Sequence, residues 1–224
     1  MTQTLTPPAT VHVLTTLRVW LHGALVATPT DQHGVLDFTV AGFEHRLGRA
    51  SSAFYARCRA RGEQRDQLLA APPGAQLIIE GHLFSPRDQG SRARRMWTRV
   101  EHLIVAPVPP VLERDRQGGL LTPGGLNLVR IDAWLAAPPE VHRLPGQDRQ
   151  VANLLLRTDD ECALIEASAY GPLAPVFTTF HKGDRLQAMA RQVRHNRPSA
   201  AGPTEYPGLE LLGPEARTDR AAHP

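Results

Sequence analysis

Along most of the chain, apolar and polar residues alternate with a period of two, the signature of strands that bury one face. In "LRVWLHGAL" Leu17, Val19 and Leu21 alternate with Arg18, Trp20 and His22. In "FYARCRARG" Phe54, Ala56, Cys58 and Ala60 alternate with Tyr55, Arg57, Arg59 and Arg61. "VLDFTVAGF", "GAQLIIEGHLF" and "MWTRVEHLIV" complete a set of five strands, and "EQRDQLLAA" suits a short helix between the third and the fourth.

The same order returns after residue 125. "LVRIDAWLA" matches the first strand, "VANLLLR" the second and "CALIEASAYG" the third. "PLAPVFTTF" fills the helix slot, "GDRLQAMARQVR" follows, and "YPGLELL" makes a weak fifth strand. Aligned without gaps, Gly62 falls on Gly171 and Gly74 on Gly183. The polar stretch "APPEVHRLPGQDRQVANLLLRTDD" and its looser counterpart "ATPTDQHGVLDFTVAGFE" are then the same connection, from first strand to second, stated twice.

Strand, strand, strand, helix, strand, strand is the order of a five-stranded OB barrel. The expected architecture is all-β: one barrel over 11–106, a second over 126–213, and between them the Pro- and Gly-rich linker 107–125. The tail 214–224, "PEARTDRAAHP", is expected to be disordered.

The second repeat resembles the bacterial single-stranded DNA-binding protein family. The matching residues are "PEVHRLPG" followed by "VANLLLRTDD", then "IEASAYGPLAP", then "HKGDRL". The first repeat matches through "GALVATP", "FYARCRARG", "PPGAQLIIEGHLF" and "TRVEHLIV", so the likeness covers most of residues 15–213. It implies OB barrels, single-stranded DNA as partner, and a homodimer in which four barrels surround the strand. No cofactor and no metal are expected. The chain departs from the family in three places. It ends "TDRAAHP" where members carry an acidic tail that recruits partner proteins. The start of the third strand carries Tyr55 in repeat one but Leu164 in repeat two, and its end Arg61 and Tyr170. The tryptophan usual in the hairpin between the fourth and fifth strands is missing from both repeats.

Charge sharpens the picture. Formal net charge is +3, and of the 25 basic residues only Lys182 is a lysine; the rest are arginine. Arginine binds phosphate bidentately and stacks on planar rings. A binder of single strands needs a cationic track and flat faces for bases. Pleat alternation puts Tyr55, Arg57, Arg59 and Arg61 on one side of one strand. Like charges on one bare face repel, so an acid such as Glu80 is expected to meet them. The following hairpin adds Phe84, Arg87, Arg92, Arg94, Arg95, Trp97 and Arg99. The second repeat offers Tyr170, with Lys182, Arg185, Arg191, Arg194 and Arg197. Trp20, outward in the first strand, suits a subunit interface or base stacking. The alternative for the arginines is a solvated barrel face that deters edge pairing.

Nothing in the pattern supports catalysis. There is no P-loop or G-x-G-x-x-G, the ten histidines show no recurrent metal spacing, and Ser51 and Ser52 have no patterned base. Cys58 and Cys162 lie in apolar-periodic runs and read as buried thiols. Without a leader pattern or a membrane-length apolar run, a cytoplasmic, nucleoid-associated protein is expected. The reading is a non-enzymatic coat for strands exposed in DNA replication, recombination or repair. The alternatives are a primosome-type accessory protein that works through partners, or a non-binding paralogue that only oligomerises.

Overall fold

The computed structural model describes residues 15–44, 52–85, 96–109, 111–115, 118–146, 148–158, 164–197 and 204–218. The first repeat forms β1 (Thr16–Leu25), β2 (Thr30–Gln32), β3 (Val35–Glu44), β4 (Ser52–Ala60), α1 (Gly62–Leu69), β5 (Gln76–Phe84) and β6 (Trp97–Ala106). A small hairpin follows, β7 (Glu113–Arg114) with β8 (Leu120–Leu121). The second repeat forms β9 (Leu126–Leu135), β10 (Glu140–Arg143), β11 (Gln150–Arg157), β12 (Leu164–Tyr170), a 3₁₀ helix (Gly171–Thr179), β13 (Arg185–Arg197) and β14 (Thr204–Thr218).

In the first repeat β1 pairs β3, β3 pairs β4, β4 pairs β6 in parallel, β6 pairs β5, and β5 returns to β1, closing a five-stranded barrel. The second repeat runs the same circuit: β9, β11, β12, β14 (again by a parallel step), β13 and back to β9. The inward residues of each circuit are the apolar set that the alternation predicts. Val19, Leu21, Ala56, Cys58 and Ile79 are buried in one, and Val129, Ile131, Leu156, Ala167 and Leu186 in the other. Each helical element closes one end with a buried side chain, Leu68 from α1 and Phe177 from the 3₁₀ helix.

The duplication extends to single backbone bonds. Leu25 N–H donates to Ala75 O at 2.9 Å while Gly74 N–H donates to Leu25 O at 2.8 Å. At the aligned place Leu135 N–H donates to Asp184 O at 2.9 Å and Gly183 N–H to Leu135 O at 2.8 Å. Gly74 and Gly183 have φ of 89° and 86°, and Gly62 and Gly171 have 56° and 62°. These are left-handed conformations that a side chain disfavours, which is why glycine stands there in both copies.

The copies are joined through β1 and β9, which pair antiparallel from Thr16↔Asp132 to His22↔Leu126. Val19, fourth residue of β1, faces Val129, fourth residue of β9. A local two-fold axis therefore passes through that pair, an isologous contact made inside one chain. Twelve strands share one sheet as a result.

Two expectations are corrected. The segment read as a linker is a packed element, not a loose tether: Leu121 is fully buried, Phe43 N–H donates to Thr122 O at 2.9 Å, and Gly125 N–H donates to Phe43 O at 2.8 Å. The fifth strand of the second repeat is not weak. β14 stays paired with β13 as far as Arg185↔Thr218, so residues 214–218 of the supposed tail are strand. Residues 219–224 lie outside the described residues.

Candidate nucleic-acid interface

Cross-strand pairing on the outer face of the first barrel sets one residue beside the next in a row. Asp37 stands opposite Arg59, Arg59 opposite Arg99, and Arg99 opposite His82. Phe84 and Trp97 are partners on the neighbouring row. The alternation of β4 holds, with Phe54, Ala56, Cys58 and Ala60 buried and Tyr55, Arg57 and Arg59 facing out. Burial leaves the Cys58 thiol protonated, its pKa driven well above the ordinary value, while Cys162 lies outside the described residues.

The acid that meets the arginines is Asp37, not Glu80. Arg59 donates from Nε to Asp37 Oδ1 at 2.7 Å and from Nη2 to Oδ2 at 2.9 Å. Glu80 lies on β5, which does not border β4, and pairs with Arg18 at 2.9 Å. The Arg59 guanidinium also lies 4.7 Å from the Trp97 ring centroid and 5.9 Å from that of Phe84. Arg99 sits 5.1 Å from the Phe84 ring, and Arg57 5.9 Å from that of Trp97. Phe84 and Trp97 are 8% and 9% exposed, so the open stacking surfaces expected of them are corrected: both rings back a layer of guanidinium groups.

Tyr55 is half-buried and engaged twice. Its hydroxyl donates to the Asp115 carboxylate, and Arg194 of the second repeat lies 5.0 Å from its ring. Burial and that carboxylate push the phenol up to about 12. Asp115 is held ready by the small hairpin, accepting from Gly119 N–H at 2.7 Å.

The remaining predicted residues disperse. Arg61 is exposed at the start of α1, and Lys182 is exposed in the turn before β13. Arg185 is bound to Asp132 at 2.6 and 2.8 Å and lies over Trp134. Tyr170 carries Arg149 5.1 Å from its ring, and burial raises its hydroxyl pKa. Arg149 was not singled out from the sequence, where it sits in an unpatterned polar turn. Arg197 ends β13, and Arg87, Arg92, Arg94 and Arg95 lie outside the described residues. Trp20 is half-buried beside the joint between repeats, opposite Leu128 of its own chain.

Arg191 must be withdrawn from the strand track. Its side chain is 5% exposed and binds Glu44 of the first repeat at 2.8 Å and Glu210 of the second. It is a buried ionic link between the copies. Burial raises the Glu44 carboxyl above its ordinary value despite the arginine beside it.

Among the described residues no group of His, Cys, Asp and Glu could hold a metal, and no helix is long and apolar enough to cross a membrane.

No family model matches the sequence, and no curated protein matches it. Solved structures do match. The wild-type single-stranded DNA binding protein from Thermus aquaticus aligns with a TM-score of 0.72 over 94% of this chain and 97% of that one, at 21% identity. A deletion mutant of the same protein aligns with a TM-score of 0.71, at 22% identity, over 94% and 98%. At this identity the likeness establishes a shared fold across nearly the whole of both chains.

Proposed function

We propose that the chain is two tandem OB domains that bind single-stranded DNA without catalysis. The observation that carries this reading is the set of outward guanidinium groups on β4 and β6, Arg57, Arg59 and Arg99, braced on buried aromatic rings across the face where OB barrels take single strands. The Thermus aquaticus neighbours, which are single-stranded DNA binding proteins, support it. A braced guanidinium loses less conformational freedom when it engages a phosphate. Arg61, Lys182, Arg194 and Arg197 add phosphate contacts outside this patch, and the chain coats strands exposed in replication, recombination or repair.

The active form is a homodimer. Ile104, Ile78 and Leu126 stand in one cross-strand row, joined through His22, and are 60%, 49% and 46% exposed. A second copy would cover this row on the joined sheet. Light scattering tests it, and a stable 24.6 kDa monomer at micromolar concentration refutes it.

Titration of a dT oligomer at two salt concentrations, in competition with duplex DNA, tests the function. Tight, salt-sensitive binding that prefers the single strand is the expected result. Micromolar binding points to the accessory role, and equal or better duplex binding sinks the reading.

A further inference from the structure

Between the repeats the chain folds back on the first barrel. β7 and β8 form a sheet of their own, apart from the twelve-stranded one, with two pairs, Glu113↔Leu121 and Arg114↔Leu120. A hairpin this small is marginal by itself in water. It is kept in place by what it touches. Leu121 is fully buried, and Asp115 accepts a hydrogen bond from the Tyr55 hydroxyl.

The backbone is shaped around that carboxylate. Gly119 N–H donates to Asp115 Oδ1 at 2.7 Å, and Asp115 N–H donates to Gly119 O at 3.0 Å. A side chain at Gly119 would set its Cβ 2.7 Å from Asp115 Oδ2, so glycine leaves the seat open. The seat lies at one end of the outward row Tyr55, Arg57 and Arg59, and Arg194 of the second repeat lies over the Tyr55 ring. A tyrosine hydroxyl and a guanidinium are both donors. Phosphate oxygens of nucleic acid take their hydrogen bonds from such groups. In the free protein an anionic oxygen of the chain itself already holds the Tyr55 donor.

We infer that Asp115 is an internal competitor: its carboxylate stands where a phosphate of the single strand binds, and the strand lifts the β7–β8 hairpin from Tyr55 to reach the joint between the repeats. The inference rests on the single-strand reading and adds to it a regulation of the same face. The exchange replaces one anionic acceptor at Tyr55 with another, so no donor is left unsatisfied. A hairpin held by two backbone pairs opens at low cost. The carboxylate also repels phosphate from the end of the cationic row until the strand displaces it.

The experiment measures binding of a dT oligomer by fluorescence anisotropy at two salt concentrations, for the full chain and for Asp115→Asn and Glu113→Gln. Asp115→Asn keeps the size of the side chain and removes its charge. It is expected to bind roughly fivefold tighter than the parent at the lower salt, and the gain shrinks as salt screens the carboxylate. Glu113→Gln removes an exposed charge from the same hairpin and is expected to bind as the parent does. Hydrogen exchange at the Asp115 and Gly119 amides of the unaltered protein is the second measurement, and it does not depend on how a variant folds. Both amides are expected to exchange faster with the oligomer bound, because the hairpin has left its seat. Unchanged or weaker binding by Asp115→Asn, an equal gain from Glu113→Gln, or exchange that stays constant or slows overturns the competitor and leaves the function standing. Absence of binding by the parent and both variants overturns both.

Discussion

β4 and β12 hold the same place in their circuits. β4 faces Tyr55, Arg57 and Arg59 outward, and β12 presents Leu164, Glu166 and Ser168 at the aligned positions. Even the partner across the second strand has changed in kind. Asp37 binds Arg59 as an ion pair, while Asn153, opposite Ser168, accepts a neutral hydrogen bond from it at 3.3 Å. The inward residues stayed apolar, because they pack the barrel interior: Ala56, Cys58 and Ala60 in one, Ile165, Ala167 and Ala169 in the other. A β-barrel separates the two demands by parity. The outward set of a strand can be rewritten for ligand while the inward set goes on holding the core.

The joint between the copies gives the harshest way to break this comparison. In repeat two Arg191 is buried against Glu210 and Glu44. The aligned pair in repeat one is His82 with Glu101, 2.7 Å apart and only half-buried. Arg191→Met should cost about 3–5 kcal/mol by removing the cation that two mostly buried carboxylates share, whereas His82→Ala should stay within about 1 kcal/mol. Thermal melts of both variants check it. The pH dependence has a definite sign. The Glu44 carboxyl is raised in the folded state, so its penalty on folding is full above that pKa and disappears as pH falls through it toward the unfolded value. The Arg191→Met deficit should therefore shrink as pH falls toward the ordinary carboxylate range. A deficit that grows on acidification would contradict the assignment.

Next in size is the electrostatic asymmetry. Replacing Arg57, Arg59 and Arg61 by Ala should flatten the logarithmic salt slope of single-strand binding by about 2 if all three meet phosphate. Replacing Glu166 in repeat two should change that slope little. If the triple variant keeps the parent slope and loses only stability, the arginines serve the barrel surface and repeat one is not the track.

Tyr170→Ala isolates stacking. It should lower affinity by roughly 1–3 kcal/mol with the salt slope nearly unchanged, since a stacked base releases few ions. A slope change would mean that Tyr170 works by holding Arg149. The smallest effect compares the two partner positions on the second strands. Asp37→Ala should cost roughly 1 kcal/mol of stability, and Asn153→Ala no more than about 0.5 kcal/mol. Equal melting shifts would show that the ionic and neutral versions are interchangeable.

The repeat, the strand order and the core were legible because they rest on alternation, which is local. The same signal misplaced Arg191. It lies in the outward phase of β13, but the surface it faces is covered by Glu44 of the other copy, and no local pattern reports that contact. Asp115 was hidden for a similar reason. Its role comes from a hairpin folding back onto Tyr55, and the Pro- and Gly-rich composition around it signals only a turn. β14 looked weak because Pro207, Gly208, Gly213 and Pro214 interrupt its pattern. Register shifts against β13 at Gln187/Ala188 and Met189/Ala190 absorb part of that irregularity. Asp37 could have been found, since "VLDFTVAGF" sets it in the same outward phase as Thr39.

The pairing of Val19 with Val129 gives the molecule the geometry of two subunits without their genetics. In an assembly of identical chains a single codon change appears on both sides of the axis at once. Any gain at one site is then tied to whatever harm it does at its mirror image. Here the two sides are spelled by separate codons. Each half can drift alone while its neighbour keeps the older task, and the joint across β1 and β9 keeps the pair in register as they diverge.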